Sequence, residues 1–168
     1  RDRALHCIVN PASRDYTCGK RWPSIAAKLE SKGLEVVTHM TSSVGNASEI
    51  AWQLRQQNVE GPIVAVGGDG TVHEVASALR GSDIPLGIIP LGSGNDYAIT
   101  QGISRKDVNQ AIDVVINGID RRCAAWRLEG FPASATGDYP APKPNHWDGE
   151  ATQDGKVVRW VFLESDSG

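Results

Sequence analysis

The chain has 168 residues, 40% of them hydrophobic and 22% charged, with a net charge of −3; this is ordinary globular composition, and a chain of this length can bury roughly two thirds of its unfolded surface. The negative balance argues against a polyanion-binding surface, and so against nucleic acid as a partner. Cys7, Cys18 and Cys123 are an odd, scattered set without CxxC spacing, which argues against a disulfide framework or zinc site and for a reducing compartment, the cytoplasm. No apolar run approaches the ~20 residues of a membrane span, and the N-terminus does not read as a signal peptide. The lack of an initiator Met reads as a piece of a longer protein.

In chain order, Ala4 to Val9 is a short apolar run ended by Asn10-Pro11, the pattern of a buried strand running into a turn. Ser24 is placed to cap a helix carrying Ile25, Ala26 and Leu29, with Gly33 as its stop. Leu34 to Met40 returns as a strand and enters Thr41-Ser42-Ser43-Val44-Gly45. Asn46 and Glu49 have the spacing of an N-cap and its N3 partner, opening a helix whose face is Ala47, Ile50, Ala51 and Leu54.

Gly61-Pro62 precedes Ile63 to Val66, a run without polar alternation, as expected of a mid-sheet strand covered by helices on both faces. It ends in Gly67-Gly68-Asp69-Gly70-Thr71, after which Val72, Val75, Ala76 and Leu79 recur with helical spacing. Three glycines in such a turn leave no Cβ to hold a ligand away, so backbone N–H groups can converge on an anion at the helix N-terminus, and phosphate is the expected anion. Neither GxxxxGK[ST] nor a complete GxGxxG is present. Thr71 and Glu74 read as a capping box, which gives Glu74 a purely structural role as one alternative. Gly81 stops the helix, Pro85 to Ile89 is the next strand, and Gly92-Ser93-Gly94 repeats the small-residue loop. Two such loops after neighbouring strands face one crevice. Ser104 and Asp107 cap a helix with Val108, Ala111, Ile112, Val115 and Ile116 on one face and Gly118 at its end. Alternating strands and helices of this length imply right-handed crossovers and a doubly wound, mostly parallel α/β sheet.

Three segments in order, Ile8-Val9-Asn10-Pro11-Ala12-Ser13, the GGDGT loop and Ile89-Pro90-Leu91-Gly92-Ser93-Gly94-Asn95-Asp96-Tyr97-Ala98, make residues 4 to 118 resemble the nucleotide-binding domain of the diacylglycerol kinase and sphingosine kinase superfamily of lipid kinases. The resemblance implies residues 1–118 as a nucleotide-binding kinase domain and 119–168 as a linker and the incomplete start of a β-rich second domain. It implies ATP and Mg2+ as cofactors, a lipid acceptor (diacylglycerol, sphingosine or ceramide type) at a membrane surface, and peripheral attachment there. Carried over by position, it makes Asn10, Pro11, Thr41, Ser42, Ser43, Gly45, Gly67, Gly68, Gly70, Thr71, Glu74, Gly92, Ser93 and Gly94 nucleotide contacts. Asp69 becomes the essential carboxylate at the acceptor hydroxyl or in the metal network, the alternative being an aspartate that only stabilises its turn. The family's remaining metal-binding acids lie in its second domain. Ala124 stands where the family usually places an aspartate, a departure that bears on activity. A nucleotide-binding module without catalysis and an NAD kinase-like enzyme are the competing readings.

From Ile119 the pattern weakens. Residues 131 to 155 have loop composition, with Pro132, Pro140, Pro142 and Pro144 among them, and Val157 to Leu163 reads as one more strand. His73, beside the glycine loop, reads as a helix-surface residue, and the tryptophans as core or interface residues.

Overall fold

The computed structural model describes residues 4–120, 122–123, 126–130 and 157–161, the last two segments as backbone. The chain divides into two compact units, Arg1–Arg122 and Cys123–Gly168.

The first unit is an α/β sandwich around a four-stranded, all-parallel sheet of order β2-β1-β3-β4, with β1 at Leu5–Val9, β2 at Val36–Met40, β3 at Ile63–Gly67 and β4 at Leu86–Pro90. The two central strands are nearly continuous apolar sequence because both their faces are covered. Ile8, Ile63 and Ala65 face α2 (Asn46–Gln56) and α3 (Asp69–Leu79), packing on Ala51, Leu54, Val75 and Leu79. Cys7, Val9, Val64 and Val66 face the other way, onto Cys18, Trp22, Ile25 and Leu29 of α1 (Thr17–Ser31) and Ile112 of α5 (Val108–Asn117). Chain order and strand order part company between β1 and β3: the connection after β1 leads outward to β2 and the one after β3 leads outward to β4. Such a switch point opens a crevice at the carboxyl ends of the two strands. A fourth short helix, α4 (Asp96–Thr100), follows β4.

Several local expectations need correction. Ser24 does not cap a helix; it lies inside α1, its hydroxyl donating to the carbonyl of Arg21 at 2.9 Å. The helix begins seven residues earlier, at Thr17, after Tyr16 in the left-handed region and with no side-chain cap. It continues through Pro23 because the Cys18, Trp22, Ile25, Leu29 stripe is buried against the sheet, and tertiary packing outweighs the missing N–H. Asn46 is not an N-cap either. Gly45 takes that position, and the Asn46 side chain turns back to accept the N–H of Ser42 at 3.0 Å while donating to Glu49 Oε2 at 3.2 Å. The Thr71–Glu74 capping box does not form, since α3 already starts at Asp69 and both side chains reach outside the helix. Asp107 does cap α5, accepting from the N–H groups of Asn109 and Gln110, and Gly33 and Gly81 take left-handed φ values just past α1 and α3.

In the second unit β5 (Trp126–Gly130) and β6 (Val157–Val161) pair antiparallel, with Trp126 opposite Val161. Ala124, the loop 131–155 and the end of the strand expected to reach Leu163 lie outside the described residues. Among the described residues no helix is long and apolar enough to cross a membrane.

Candidate functional site

The residues singled out from the sequence gather at the carboxyl ends of the strands. Asn10 extends β1, its N–H donating to the carbonyl of Val66 at 3.0 Å. Its side-chain oxygen accepts the N–H of Ala12 at 3.1 Å and its amide donates to Thr71 Oγ1 at 3.3 Å, so one side chain shapes the Asn-Pro turn and ties it to α3. Pro11 follows in that turn, its carbonyl accepting from Gly19 N–H. Arg14, Asp15 and Tyr16 are then all left-handed, with φ of 51°, 51° and 62°. Three successive non-glycine residues in that region cost roughly 1–2 kcal/mol each, a strain concentrated in the loop at the mouth of the switch point.

The two glycine loops touch through their backbones. A Cβ added to Gly92 would lie 2.2 Å from Cα of Gly68, and one added to Gly67 would lie 2.7 Å from Thr71 Oγ1 and 3.1 Å from Ser13 Oγ. Gly67 and Gly92 are therefore required by close approach of protein to protein, and Gly68 is tight, a Cβ there lying 3.3 Å from Cα of Gly92. Gly70 differs: nothing lies within 4 Å of where its Cβ would be. Its open side is available to something outside the chain. No side chain caps α3, whose N-cap is Gly68, and the first amides of such a helix have no intrahelical partners.

Asp69 sits at the start of α3, and its two oxygens accept the N–H groups of Asp96 (Oδ2, 3.1 Å) and Tyr97 (Oδ1, 3.0 Å). It therefore caps α4 from another loop, a third possibility beside the catalytic and turn-stabilising readings. Each oxygen keeps a second lone-pair direction for a cation or hydroxyl. A Cβ on Gly94 would lie 3.1 Å from Asp69 Oδ2 and 3.7 Å from Asp96 Oδ2, so two carboxylates flank the second glycine loop. Ser93, at its tip, is exposed. Asn95, left-handed at φ 61° and buried, accepts the N–H of Gly92 at 2.9 Å and donates to its carbonyl at 2.8 Å, closing the loop upon itself. Asn95 and Asp96 were visible in the sequence as part of Gly-Ser-Gly-Asn-Asp, but nothing local reveals that one fixes the loop and the other pairs with Asp69.

The Thr41 to Gly45 loop joins the same rim. Thr41 N–H donates to the carbonyl of Val9, Ser42 is held by Asn46, Ser43 is exposed, and Gly45 is left-handed at φ 86°. Glu74 crosses from α3 to this loop: Oε1 accepts Gly45 N–H at 3.0 Å and Oε2 accepts Ala47 N–H at 3.1 Å. Among the described residues no group of three or more His, Cys, Asp or Glu is arranged to hold a metal ion. A surface groove of about 960 Å³ lies at the opposite end of the sheet, lined by Arg55, Glu60, Ser82 and Asp83 among others, and contains none of these residues. Cys7 and Cys18 are buried in the core, their thiols pushed by burial up to about 12 and about 11.

Comparison with known proteins gives a consistent result. The family described as diacylglycerol kinase catalytic domain matches residues 4–128. A diacylglycerol kinase of Bacillus subtilis (strain 168) is 40% identical over 127 residues, which is 73% of this chain and 41% of that protein. A "Probable lipid kinase YegS-like" of Klebsiella pneumoniae (strain 342) is 39% identical over 116 residues, 66% of this chain and 38% of its own length. The chain thus spans about two fifths of these relatives. A crystal structure of a diacylglycerol kinase from Bacillus anthracis str. Sterne superposes with a TM-score of 0.59 at 22% identity, covering 78% of this chain and 48% of that one, which is a likeness of fold.

Proposed function

Since the chain belongs to the diacylglycerol kinase catalytic-domain family, we propose that its crevice binds ATP with Mg2+ and that the protein of which it forms part transfers the γ-phosphoryl group to a lipid hydroxyl. The observation that carries this reading is the contact of two glycine loops at the sheet's switch point, beside an uncapped helix N-terminus whose Gly70 side is open. Phosphates are suited to such a place, because backbone N–H groups and the helix dipole both favour an anion there. The hydroxyls of Thr41, Ser42 and Ser43 and the amide of Asn10 add polar groups around the same rim.

Phosphoryl transfer asks mainly for positioning and charge stabilisation. The acceptor oxygen forms the new bond to the γ-phosphorus as the bond to the ADP oxygen breaks, and the hydroxyl proton passes to a carboxylate, for which Asp69 is the candidate. Asp96, and Asp69 where it does not serve the hydroxyl, would be the carboxylates to hold Mg2+, an ion commonly bound through one or two carboxylates together with substrate phosphates. When bound, the ion offsets the negative charge of the phosphates. The acceptor is a lipid in this reading, as the relatives' names indicate, with diacylglycerol first among the candidates and sphingosine or ceramide types behind it. A second reading, nucleotide binding without catalysis, is favoured by one feature: both Asp69 oxygens already hold α4.

Calorimetry of this chain with Mg-ADP tests the nucleotide site. Saturable binding is expected, and Gly68→Val should abolish it by driving the glycine loops apart. Equal binding by parent and variant would remove the crevice as the site.

A further inference from the structure

Glu74 was expected to cap its own helix or to touch a nucleotide, and it does not cap its own helix. Both carboxylate oxygens are taken by backbone N–H groups of the next connection, Gly45 at 3.0 Å and Ala47 at 3.1 Å, across 29 and 27 residues of sequence. The junction is reinforced from the other side, where Ser48 Oγ donates to the carbonyl of Glu74 at 3.0 Å. Ser48, Gly45 and Ala47 are buried and Glu74 half-buried, so these bonds are largely shielded from water. Glu74 lies one turn and a half along the helix that begins at Asp69, directly after the first glycine loop. Gly45 is the left-handed residue that turns Thr41, Ser42 and Ser43 into α2.

From this we infer that Glu74 is a positioning residue: its carboxylate fixes the hydroxyl-bearing loop 41–45 against the glycine loop, and it sets nucleotide affinity through that loop rather than by contact. The inference rests on the nucleotide reading above and adds a specific partner to it. The orientation of Thr41 and the two serines depends on where Gly45 is held, and among the described residues the side chain bonded to Gly45 N–H is that of Glu74. Asn46 fixes Ser42 within the loop but does not connect the loop to α3.

Two measurements on Glu74→Gln test it. The amide keeps the size of the side chain, retains one acceptor oxygen and presents an N–H2 to the second backbone donor. Loss of one charge-assisted bond is expected to speed hydrogen exchange at Gly45 and Ala47 by about tenfold or more, with the amides of β1 and β3 unchanged. The dissociation constant for Mg-ADP should rise by about tenfold at a temperature where the variant is fully folded. Glu74→Asp, which keeps the charge but is too short to span both amides, should behave likewise and serves if the glutamine variant folds poorly. Faster exchange with unchanged affinity would overturn the inference, as would weaker affinity with unchanged exchange, which is the signature of direct contact. If the parent chain does not bind Mg-ADP at all, the nucleotide reading fails, and the exchange measurement still reports separately whether Glu74 holds the loop.

Discussion

Replacing Gly92 by alanine asks the molecule to accommodate one methyl group where two backbones meet. The new Cβ would lie 2.2 Å from Cα of Gly68, 2.9 Å from its nitrogen and 2.9 Å from Asn95 Oδ1, while ordinary contact begins at 3.4 Å. The loops must therefore part by about 1.2 Å, the difference of the shortest and the ordinary distance, and moving a side chain cannot absorb it because the closest atom, Cα of Gly68, is backbone. Overpacking of this kind costs about 1–3 kcal/mol, or a fall in Tm of roughly 2–12 °C for a chain of this size. Movement of Gly92 also pulls on the pair of bonds from Asn95 that closes its loop. We expect Gly92→Ala to lower Tm in thermal melts and to weaken Mg-ADP by about tenfold or more in calorimetry. Gly70→Ala is the matched contrast: its methyl meets nothing within 4 Å, and its φ is not left-handed. Inside α3 that change should stabilise the chain by about 0.5–1 kcal/mol, while reducing nucleotide affinity because the methyl occupies the open side. Opposite signs in Tm with the same sign in affinity are the expected pattern. A Gly92→Ala protein as stable and as tightly binding as the parent would refute the argument, for the loops could not then be in contact in solution.

In the full-length protein, Asp69→Asn should lower kcat by roughly 100- to 10,000-fold if the carboxylate serves the acceptor hydroxyl, measured by steady-state kinetics well below the variant's Tm. A variant that loses thermal stability yet keeps its turnover would confine Asp69 to holding α4. The second expectation concerns His6 and His39, whose rings stack at 5.4 Å with Nδ1 and Nε2 3.1 Å apart. Burial lowers both below the ordinary imidazole value of 6.5; Glu35 partly opposes this at His6, and the neighbouring His6 adds to it at His39. A depressed folded value means the unfolded chain takes up protons first, so this stability is fully present above about pH 6.5 and is lost as pH falls through the folded values. Tm should drop on acidification through that window, and His39→Gln should flatten the drop; an unchanged pH profile would show that the pair does not contribute.

The strands and the two glycine loops were legible because their signals are local: apolar runs without alternation, ended by Asn-Pro, Gly-Gly-Asp-Gly and Gly-Ser-Gly. Helix starts were harder wherever the capping group comes from elsewhere in the chain. α4 has Asn95 at its N-cap, but that side chain is spent on Gly92 and the first amides are held by Asp69, 27 and 28 residues earlier in sequence. The start of α1 was hidden by a left-handed Tyr16 and by Pro23, which reads as a barrier until Trp22 is seen buried, its Nε1 donating to Thr38 Oγ1 at 3.1 Å. Thr71 and Glu74 have the spacing of a local pair, and their actual partners, Asn10 and the Gly45–Ala47 amides, are supplied by the fold. Residue types at the site could be read from the sequence, but their bonding could not.

The two carboxylates of α3 also act as a ruler. Asp69 reaches to α4 and Glu74 to the start of α2, on opposite flanks of the same helix. Five residues at about 100° each separate them by about 140° around the helix axis, which is what lets one short element serve both neighbours. Inserting or deleting a single residue between them would swing one carboxylate about 100° away from its amides, whereas many substitutions at His73, on the half-exposed side, leave the spacing intact. Length between Asp69 and Glu74 is thus constrained more tightly than composition, and a library that varies residues 70 to 73 without changing their number should retain both loop attachments far more often than one that varies the number.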